Sequence, residues 1–221
     1  LFSIQGYIET LRDGGVEDLN VRDKYLERID KSVERLLNIV KDLDMINRFE
    51  SGQIDLKFSS FDINHLIQEI FDLLDLEAER ESMTMQLQTT QSQLFVFADK
   101  QKISQVLINL ISNAVKYANR EEAQIIVATR EGMKNIHISI EDNGMGIKQE
   151  NLPRIFERFY RVESSRNRKD GGSGLGLAIV KHILEAHKQP INVESVYLSG
   201  TKFKFKLDKS PQEKVKKPKA P

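Results

Sequence analysis

The 221-residue sequence contains no cysteine and no tryptophan, and it has only five prolines. Without cysteine the chain forms neither disulfides nor thiolate metal sites, which excludes disulfide-stabilised scaffolds and zinc-finger-like domains. No apolar run approaches the ~20 residues that a transmembrane helix needs. An excess of charge of one sign is also lacking, because 33 basic side chains balance 33 acidic ones. The net charge therefore gives no indication of nucleic acid or an anionic membrane as a partner.

The first 50 residues carry the heptad spacing of packed helices. Apolar residues recur at steps of three and four from Leu1 to Leu11 and again from Leu26 to Leu43. Gly14-Gly15 interrupts the pattern, which predicts a helical hairpin, half of a dimeric four-helix bundle. The second helix would span roughly 46 Å and the first about 20 Å, so we expect the first helix to have continued upstream of Leu1.

Strand and helix patterns mix beyond Ser51-Gly52. The predicted strands are 54–58, 83–87, 94–98, 124–129, 135–140, 191–197 and 201–207, and the predicted helices are 63–79, 100–118 and 174–187. The fold class is therefore α+β: a helical hairpin over 1–52, then an α/β sandwich of mixed, mostly antiparallel sheet and three helices over 53–209. Residues 210–221 are rich in Lys and Pro, which predicts a disordered tail.

Glycine is scarce but concentrated, with six of its 12 occurrences between residues 144 and 176. The first group follows Asp142, which ends the strand pattern 135–140. A carboxylate only accepts hydrogen bonds, so Asp142 suits an exocyclic amine such as that of adenine. Gly144 and Gly146 permit positive φ and let a flat base approach the backbone. An ordinary surface turn is the alternative interpretation.

The second glycine group directly precedes an apolar helix pattern and reads Gly171-Gly172-Ser173-Gly174-Leu175-Gly176-Leu177. Backbone N–H groups at a helix N-terminus can cradle phosphate. The GxGxxG register fails because Leu177 takes the third glycine position, and no Gly-Lys-Ser/Thr follows. Neither a Rossmann nor a Walker loop is therefore indicated. A flexible linker that opens a helix is the alternative.

Three polar side chains share one face of the helix predicted at 100–118, because Asn109, Asn113 and Lys116 lie at i, i+4 and i+7. An amide oxygen, with phosphate oxygens and water, suits Mg²⁺, and a lysine supplies positive charge to phosphate. The alternative is a solvated stripe. It fits poorly because Asn is a weak helix former.

About 25 residues separate the two glycine groups, and connections of this length are usually lids or binding loops. Aromatic side chains would anchor this connection, and basic ones would face a triphosphate. The aromatics are Phe156, Phe159 and Tyr160, and the basic residues are Arg158, Arg161, Arg166, Arg168 and Lys169. Arg158 is the candidate catalytic residue among them. A solvated loop is the alternative for each basic residue.

In their order and spacing these motifs resemble the catalytic core of bacterial two-component sensor histidine kinases. Asn109–Tyr117 is similar to the N box of that family, Asp142–Gly146 to its first glycine box, Phe156–Phe159 to its F box and Gly172–Gly176 to its second glycine box. The resemblance covers residues 1 to about 208 and implies a Bergerat-type ATP-binding fold with an ATP lid.

The resemblance also implies a role for each site residue. Asn113 would bind Mg²⁺, Lys116 would contact phosphate, Asp142 would read the adenine amine, and Thr201 would assist near the base through water. Asn109 stands where related ATPases carry a glutamate that activates water, and an amide cannot act as a general base, so phosphoryl transfer is favoured over hydrolysis. Asn109, Lys116 and Arg158 form the implied catalytic set. The further binding residues are Tyr117, Gly144, Met145, Gly146, Ile147, Phe156, Gly172, Ser173, Gly174, Leu175, Gly176 and Leu177.

The four histidines lie outside the hairpin, where the family carries its phosphoacceptor; they are His65, His137, His182 and His187. We therefore expect this chain to bind Mg-ATP or Mg-ADP without phosphorylating itself at the usual site. The parent would pass phosphate from ATP to a histidine and then to an aspartate of a response regulator. The alternatives are a nucleotide-gated binding module, or pseudokinase, whose hairpin recruits a regulator, and a gyrase-like ATPase.

The expected partners follow from the same resemblance. They are a response-regulator receiver domain and a second copy of the chain, bound through the hairpin. Nucleic acid and membrane contact are not expected for this fragment. The expected location is the cytoplasm, and a membrane anchor in the parent stays open.

Overall fold

The structure is a computed structural model that describes residues 2–118, 122–162 and 172–211. Most of the predicted disordered tail, from residue 212, and the predicted lid residues Arg166, Arg168, Lys169 and Gly171 lie outside the described residues. The chain divides into two compact units, Leu1–Asn47 and Arg48–Pro221. Across the described parts, no helix is long and apolar enough to cross a membrane.

The first unit is the predicted helical hairpin. It comprises α1 (Phe2–Thr10), a π-helical turn (Leu11–Gly15) and most of α2 (Leu19–Glu50). Gly14 has a φ of +102°, which glycine adopts without the steric cost of a Cβ. The rings of Tyr7 and Tyr25 pack with their centroids 5.4 Å apart and join the two helices.

The second unit is an α/β domain with a mixed sheet, as predicted. Its elements are β1 (Ser59–Asp62), α3 (Ile63–Arg80), β2 (Met83–Thr89), β3 (Phe95–Ala98), α4 (Lys100–Lys116), β4 (Ala123–Glu131), β5 (Asn135–Asp142), α5 (Gly176–Ala186), β6 (Asn192–Val196) and β7 (Gly200–Asp208). Five strands form one sheet in the order β2-β4-β5-β7-β6. The β2–β4 pair is parallel and the other three pairs are antiparallel. Strands β1 and β3 form a separate antiparallel pair.

The two faces of the large sheet differ because residues alternate along each strand. Ile136, Ile138 and Ile140 of β5 are buried, and α4 packs against this strand through its own apolar face. Glu141 lies on the opposite, polar face, where its carboxylate meets Lys202 Nζ at 2.6 Å. The end of β5 thus brings Asp142 to the buried side, next to α4.

One predicted strand is wrong. Residues 54–58 alternate like a strand but have no regular secondary structure, and the strand begins instead at Ser59. Only residues from Ser59 onward reach a ladder partner, since Ser59 pairs with Ala98 of β3. Asp62 caps the next helix, because its Oδ1 accepts a hydrogen bond from the Asn64 N–H at 3.0 Å.

Candidate functional site

A cavity of about 120 Å³ opens where the end of β5, the start of β7 and the last turns of α4 meet. A single water needs only ~10–15 Å³ by the same measure, so the cavity admits a much larger group. Its lining residues are Asn113, Ala114, Tyr117, Asp142, Met145, Gly146, Ile147, Lys148, Ile155, Tyr160, Arg161, Val162, Leu177, Tyr197, Thr201 and Phe203. This set includes eight residues of the predicted site: Asn113, Tyr117, Asp142, Met145, Gly146, Ile147, Leu177 and Thr201.

Asp142 supplies the carboxylate of the cavity. Its Oδ1 accepts a hydrogen bond from the Gly144 N–H at 2.9 Å, and Thr201 stands beside it as its partner on β7. Burial raises the pKa of Asp142 above its ordinary value, and the backbone N–H groups of Gly144 and Thr201 oppose part of that shift. A carboxylate has about four lone-pair sites, so acceptor capacity is left on Asp142 for a bound group.

The first glycine group docks the end of β5 onto the end of α4. The Met145 N–H donates to the Tyr117 carbonyl at 3.1 Å. A Cβ on Gly144 would lie 2.5 Å from the same carbonyl oxygen, so only glycine allows this approach. Gly146 has a φ of +65° and lies directly against the backbone of Val196, the last residue of β6 before the turn to β7.

The polar face of α4 connects the cavity to the second glycine group. Asn113 and Tyr117 line the cavity. Asn109 Nδ2 donates to the Gly176 carbonyl at 3.4 Å, and the Lys116 ammonium lies so near Gly172 that a Cβ there would be 2.7 Å from Nζ. The structure therefore brings the three predicted polar residues and both glycine groups to one helix.

The second glycine group opens α5, as predicted, with the helix beginning at Gly176. Ser173 Oγ accepts a hydrogen bond from the Leu175 N–H at 3.2 Å. Gly174 has a φ of +75°, and its carbonyl accepts from the Phe159 N–H at 2.9 Å. This bond joins the middle of the connecting segment to the second glycine group.

Arg158 and Phe156 are among the predicted residues that do not line the cavity. Arg158 pairs with the carboxylate of Glu50 at the end of α2 instead. Phe156 packs edge-on against Phe203, with ring centroids 6.5 Å apart, and so lies behind the cavity wall that Phe203 forms.

Tyr197 and Lys148 line the cavity although the sequence analysis did not single them out. Lys148 Nζ lies 5.4 Å from the centroid of the Tyr197 ring, a distance at which a cation is attracted to an aromatic face. Tyr197 is in the β6–β7 turn, far along the chain from the glycine groups. The one sequence signal that could have pointed to Tyr197 is that it is an aromatic residue next to a predicted turn.

A protein-built metal cluster is absent from the described residues, where no group of three or more His, Cys, Asp or Glu side chains could hold a metal ion. Asn113 is an amide and is not counted in such a cluster. The side-chain oxygens of the residues that line the cavity are the Asn113 amide, the Asp142 carboxylate and the hydroxyls of Thr201, Tyr117, Tyr160 and Tyr197.

Two family models match the sequence. The model described as "Histidine kinase-, DNA gyrase B-, and HSP90-like ATPase" matches residues 98–211, and "His Kinase A (phospho-acceptor) domain" matches residues 1–52. Sensor histidine kinase WalK of Bacillus subtilis (strain 168) is 32% identical over 208 residues, covering 94% of this chain and 34% of WalK. Sensor protein kinase WalK of Staphylococcus epidermidis is 34% identical over 202 residues, covering 91% of this chain and 33% of that protein. The chain thus spans about a third of the length of these curated relatives.

Solved structures give the same relationship. Acinetobacter baumannii histidine kinase AdeS matches with a TM-score of 0.73 at 26% identity, covering 94% of each chain. Histidine kinase ThkA in complex with response regulator protein TrrA matches with a TM-score of 0.72 at 26% identity, covering 95% of this chain and 57% of that one. The ATPase model covers more than half of this sequence. The chain therefore belongs to the histidine kinase-, DNA gyrase B- and HSP90-like ATPase family, and within it to the catalytic cores of bacterial sensor histidine kinases.

Proposed function

We propose that this chain binds ATP or ADP with Mg²⁺ and is the phosphoryl donor of a sensor histidine kinase. The observation that carries the proposal is the half-buried Asp142 carboxylate in a cavity whose wall includes Asn113 of α4. The same helix contacts the glycine group that opens α5. Helix α4 thus connects the proposed hydrogen-bond acceptor for the base, Asp142, with the proposed phosphate-binding glycine group at the start of α5.

The base would enter the cavity with its amine toward Asp142. A purine face is apolar, and the cavity walls offer matching side chains in Met145, Ile147, Leu177 and Phe203. The ionised carboxylate of Asp142 can only accept, which favours an exocyclic amine over a carbonyl. Adenine presents that amine, so the proposal specifies an adenine nucleotide.

The phosphates would extend from the cavity along α4 toward the start of α5. Lys116 is positioned beside Gly172, where its ammonium would meet phosphate oxygens. Asn113 fits a magnesium ion because Mg²⁺ is usually held by one or two protein oxygens together with substrate phosphates and water. When bound, the ion would neutralise charge on the phosphate chain.

The residues of this site hold the substrate rather than react with it. In phosphoryl transfer the bond from the γ-phosphorus to the bridging oxygen breaks, a bond to the acceptor nitrogen forms, and ADP leaves. Positioning and charge stabilisation supply most of the catalysis of such a step. Asn109 is hydrogen-bonded to the α5 backbone and has no basic group to activate water, so hydrolysis is disfavoured.

The acceptor would be a histidine outside residues 1–52, because these residues contain none. We propose residues 1–52 as a dimerisation domain, since apolar side chains of α2 such as Leu26, Leu37 and Val40 are exposed in the single chain. Residues 53–209 would be the catalytic domain and 210–221 a tail. A receiver domain is the proposed final acceptor, as the complex of ThkA with a response regulator suggests.

Transfer in trans tests the proposal. The chain is incubated with γ-³²P-ATP, Mg²⁺ and a histidine-bearing hairpin domain from a related kinase. We expect acid-labile label on the added hairpin and none on this chain. Acid-labile label on this chain alone would contradict the absence of an acceptor, and steady ADP release without acceptor would indicate an ATPase.

A nucleotide-gated binding module is the second candidate, favoured by the absence of histidine from the hairpin. It predicts tight ATP binding with no label on the added hairpin domain. The same experiment therefore separates the two functions.

Asn113→Ala is expected to remove the contribution of Mg²⁺ to nucleotide binding. The affinity for ADP in the presence of Mg²⁺ should fall about tenfold, to the value measured in EDTA, because a single amide–metal contact is worth roughly the strength of one charge-assisted hydrogen bond. Isothermal titration calorimetry with and without Mg²⁺ measures this. Gln101→Ala, exposed on the first turn of the same helix, is the control. A Mg²⁺ effect that survives in Asn113→Ala would place the metal elsewhere.

A further inference from the structure

Ser195 of β6 is a buried hydroxyl that joins three parts of the cavity wall. It is 7% exposed and has three hydrogen-bond partners. The Ile147 N–H donates to Ser195 Oγ at 2.8 Å, Ser195 Oγ donates to the Gly200 carbonyl at 2.8 Å, and Thr201 Oγ1 lies 3.0 Å away. Two of these partners, Ile147 and Thr201, line the cavity.

The number of protons determines the direction of each bond. A serine hydroxyl has one proton and two lone pairs. The Gly200 carbonyl can only accept, so it takes the Ser195 proton. The two lone pairs of Ser195 then accept from the Ile147 N–H and from the Thr201 hydroxyl. The hydroxyl proton of Thr201 is thereby directed at Ser195, and Thr201 faces the cavity with lone pairs only.

We infer that Ser195 is a positioning residue for base selection, which fixes the Thr201 hydroxyl as a hydrogen-bond acceptor and so favours 6-amino purines over 6-oxo purines. The inference rests on the proposed function and deepens it. Thr201 stands opposite Asp142 across the β5–β7 ladder. Both groups then present acceptors to the same edge of a base, directly or through a water whose hydrogens they bind.

At ring position 6, where adenine has its amine, a 6-oxo purine would meet these two acceptors with a carbonyl oxygen, while its N1–H lies at the neighbouring ring position. No proton would lie between the facing lone pairs, and the buried acceptors would lose the partner that an amine provides. If Ser195 is removed, the Thr201 proton becomes free to turn toward the cavity and to donate to that carbonyl. The preference for 6-amino over 6-oxo purines should therefore depend on Ser195, although Ser195 itself does not line the cavity.

Binding of ADP and inosine 5′-diphosphate tests the inference, since inosine has a carbonyl where adenine has its amine. Dissociation constants are measured by calorimetry for the full chain, Ser195→Ala, Thr201→Val and the double variant. We expect the preference for ADP to fall about tenfold in Ser195→Ala, the factor that one hydrogen bond is worth. In the Thr201→Val background, Ser195→Ala should leave the preference unchanged, because no hydroxyl remains to be oriented.

A purely structural role would have a different signature. Ser195→Ala would then weaken ADP and inosine diphosphate by the same factor, and that result would overturn the inference. So would a change in preference caused by Ser195→Ala when Thr201 is already Val. Ser139→Ala, a strand serine paired with Lys204 and outside the cavity lining, is the control. If the unmodified chain bound neither nucleotide, the proposed function would fail instead.

Discussion

Asp142→Asn is expected to lower the affinity of the chain for ADP at least ~100-fold. The carboxylate Oδ1 accepts from the Gly144 N–H at 2.9 Å, so an amide at this position would keep its oxygen there. Its NH₂ group would then face the cavity and meet the adenine amine donor to donor. Losing a hydrogen bond to a charged group and leaving donors unpaired costs about 3 kcal/mol, which corresponds to this factor.

Thermal stability should change in the opposite direction. Burial raises the pKa of Asp142, which means that the folded state disfavours the ionised carboxyl. At neutral pH the ionised group therefore costs stability, and Asp142→Asn removes this cost. We expect the Tm of the nucleotide-free variant to rise, as measured by differential scanning calorimetry, while binding is lost.

The pH dependence has the same origin. Because the folded-state pKa of Asp142 lies above its unfolded value, the stability contribution of this group improves as pH falls through the folded pKa. ADP binding needs the ionised form, so affinity should decline over the same pH range. This part of the decline should be absent in Asp142→Asn.

Glu141→Gln is the matched control for these measurements, since Glu141 is the preceding residue on β5 and its side chain pairs with Lys202 on the polar face of the sheet. It should bind ADP like the unmodified chain. Equal loss of affinity in both variants, or ADP binding by Asp142→Asn within a few-fold of normal, would mean that the carboxylate does not read the base.

Gly146→Ala is expected to destabilise the fold by about 3 kcal/mol or more and to abolish nucleotide binding. Gly146 has a φ of +65°, and a Cβ there would overlap the Val196 carbonyl oxygen and lie 2.8 Å from its carbon. The left-handed conformation alone costs a non-glycine residue roughly 1–2 kcal/mol. Displacement of backbone in the β6–β7 turn adds to this, because backbone cannot rotate away as a side chain can. Chemical denaturation and calorimetric titration measure the two effects.

Gly52→Ala separates the backbone conformation from the steric overlap. Gly52 has a nearly identical φ of +67°, but a Cβ there would have nothing within 4 Å. This variant should lose only about 1 kcal/mol and bind ADP normally. If Gly146→Ala lost no more free energy of unfolding than Gly52→Ala, the close approach of the Val196 backbone to Gly146 would not contribute to the stability of the fold.

Several features of the site could be predicted because they depend on local sequence. Gly144 and Gly146 follow Asp142 directly, and the helical spacing of Asn109, Asn113 and Lys116 puts them on one face of α4. The cap at Asp62 was also predictable, since a cap and its helix are neighbours in the chain. In each case the relevant atoms are separated by only a few residues.

One predicted strand was wrong, and some contacts were missed, because the partner is distant in sequence. Residues 54–58 alternate like a strand, but a strand forms only where a ladder partner is available, and β3 pairs from Ser59 onward. Arg158 has the charge to face phosphate, yet Glu50, more than a hundred residues earlier, pairs with it. No local pattern contains that information.

The sequence by itself determined the family, most of the order of helices and strands, and a candidate set of site residues, because motifs and periodicity are properties of neighbouring residues. Only the tertiary structure decided which of these residues share a cavity. It placed Thr201 beside Asp142 through the β5–β7 ladder and put Tyr197 and Lys148 at the cavity wall. It also gave the Ser195 hydroxyl its three hydrogen-bond partners, Ile147, Gly200 and Thr201. The physical reason is that strand pairing and burial bring together groups that are far apart along the chain.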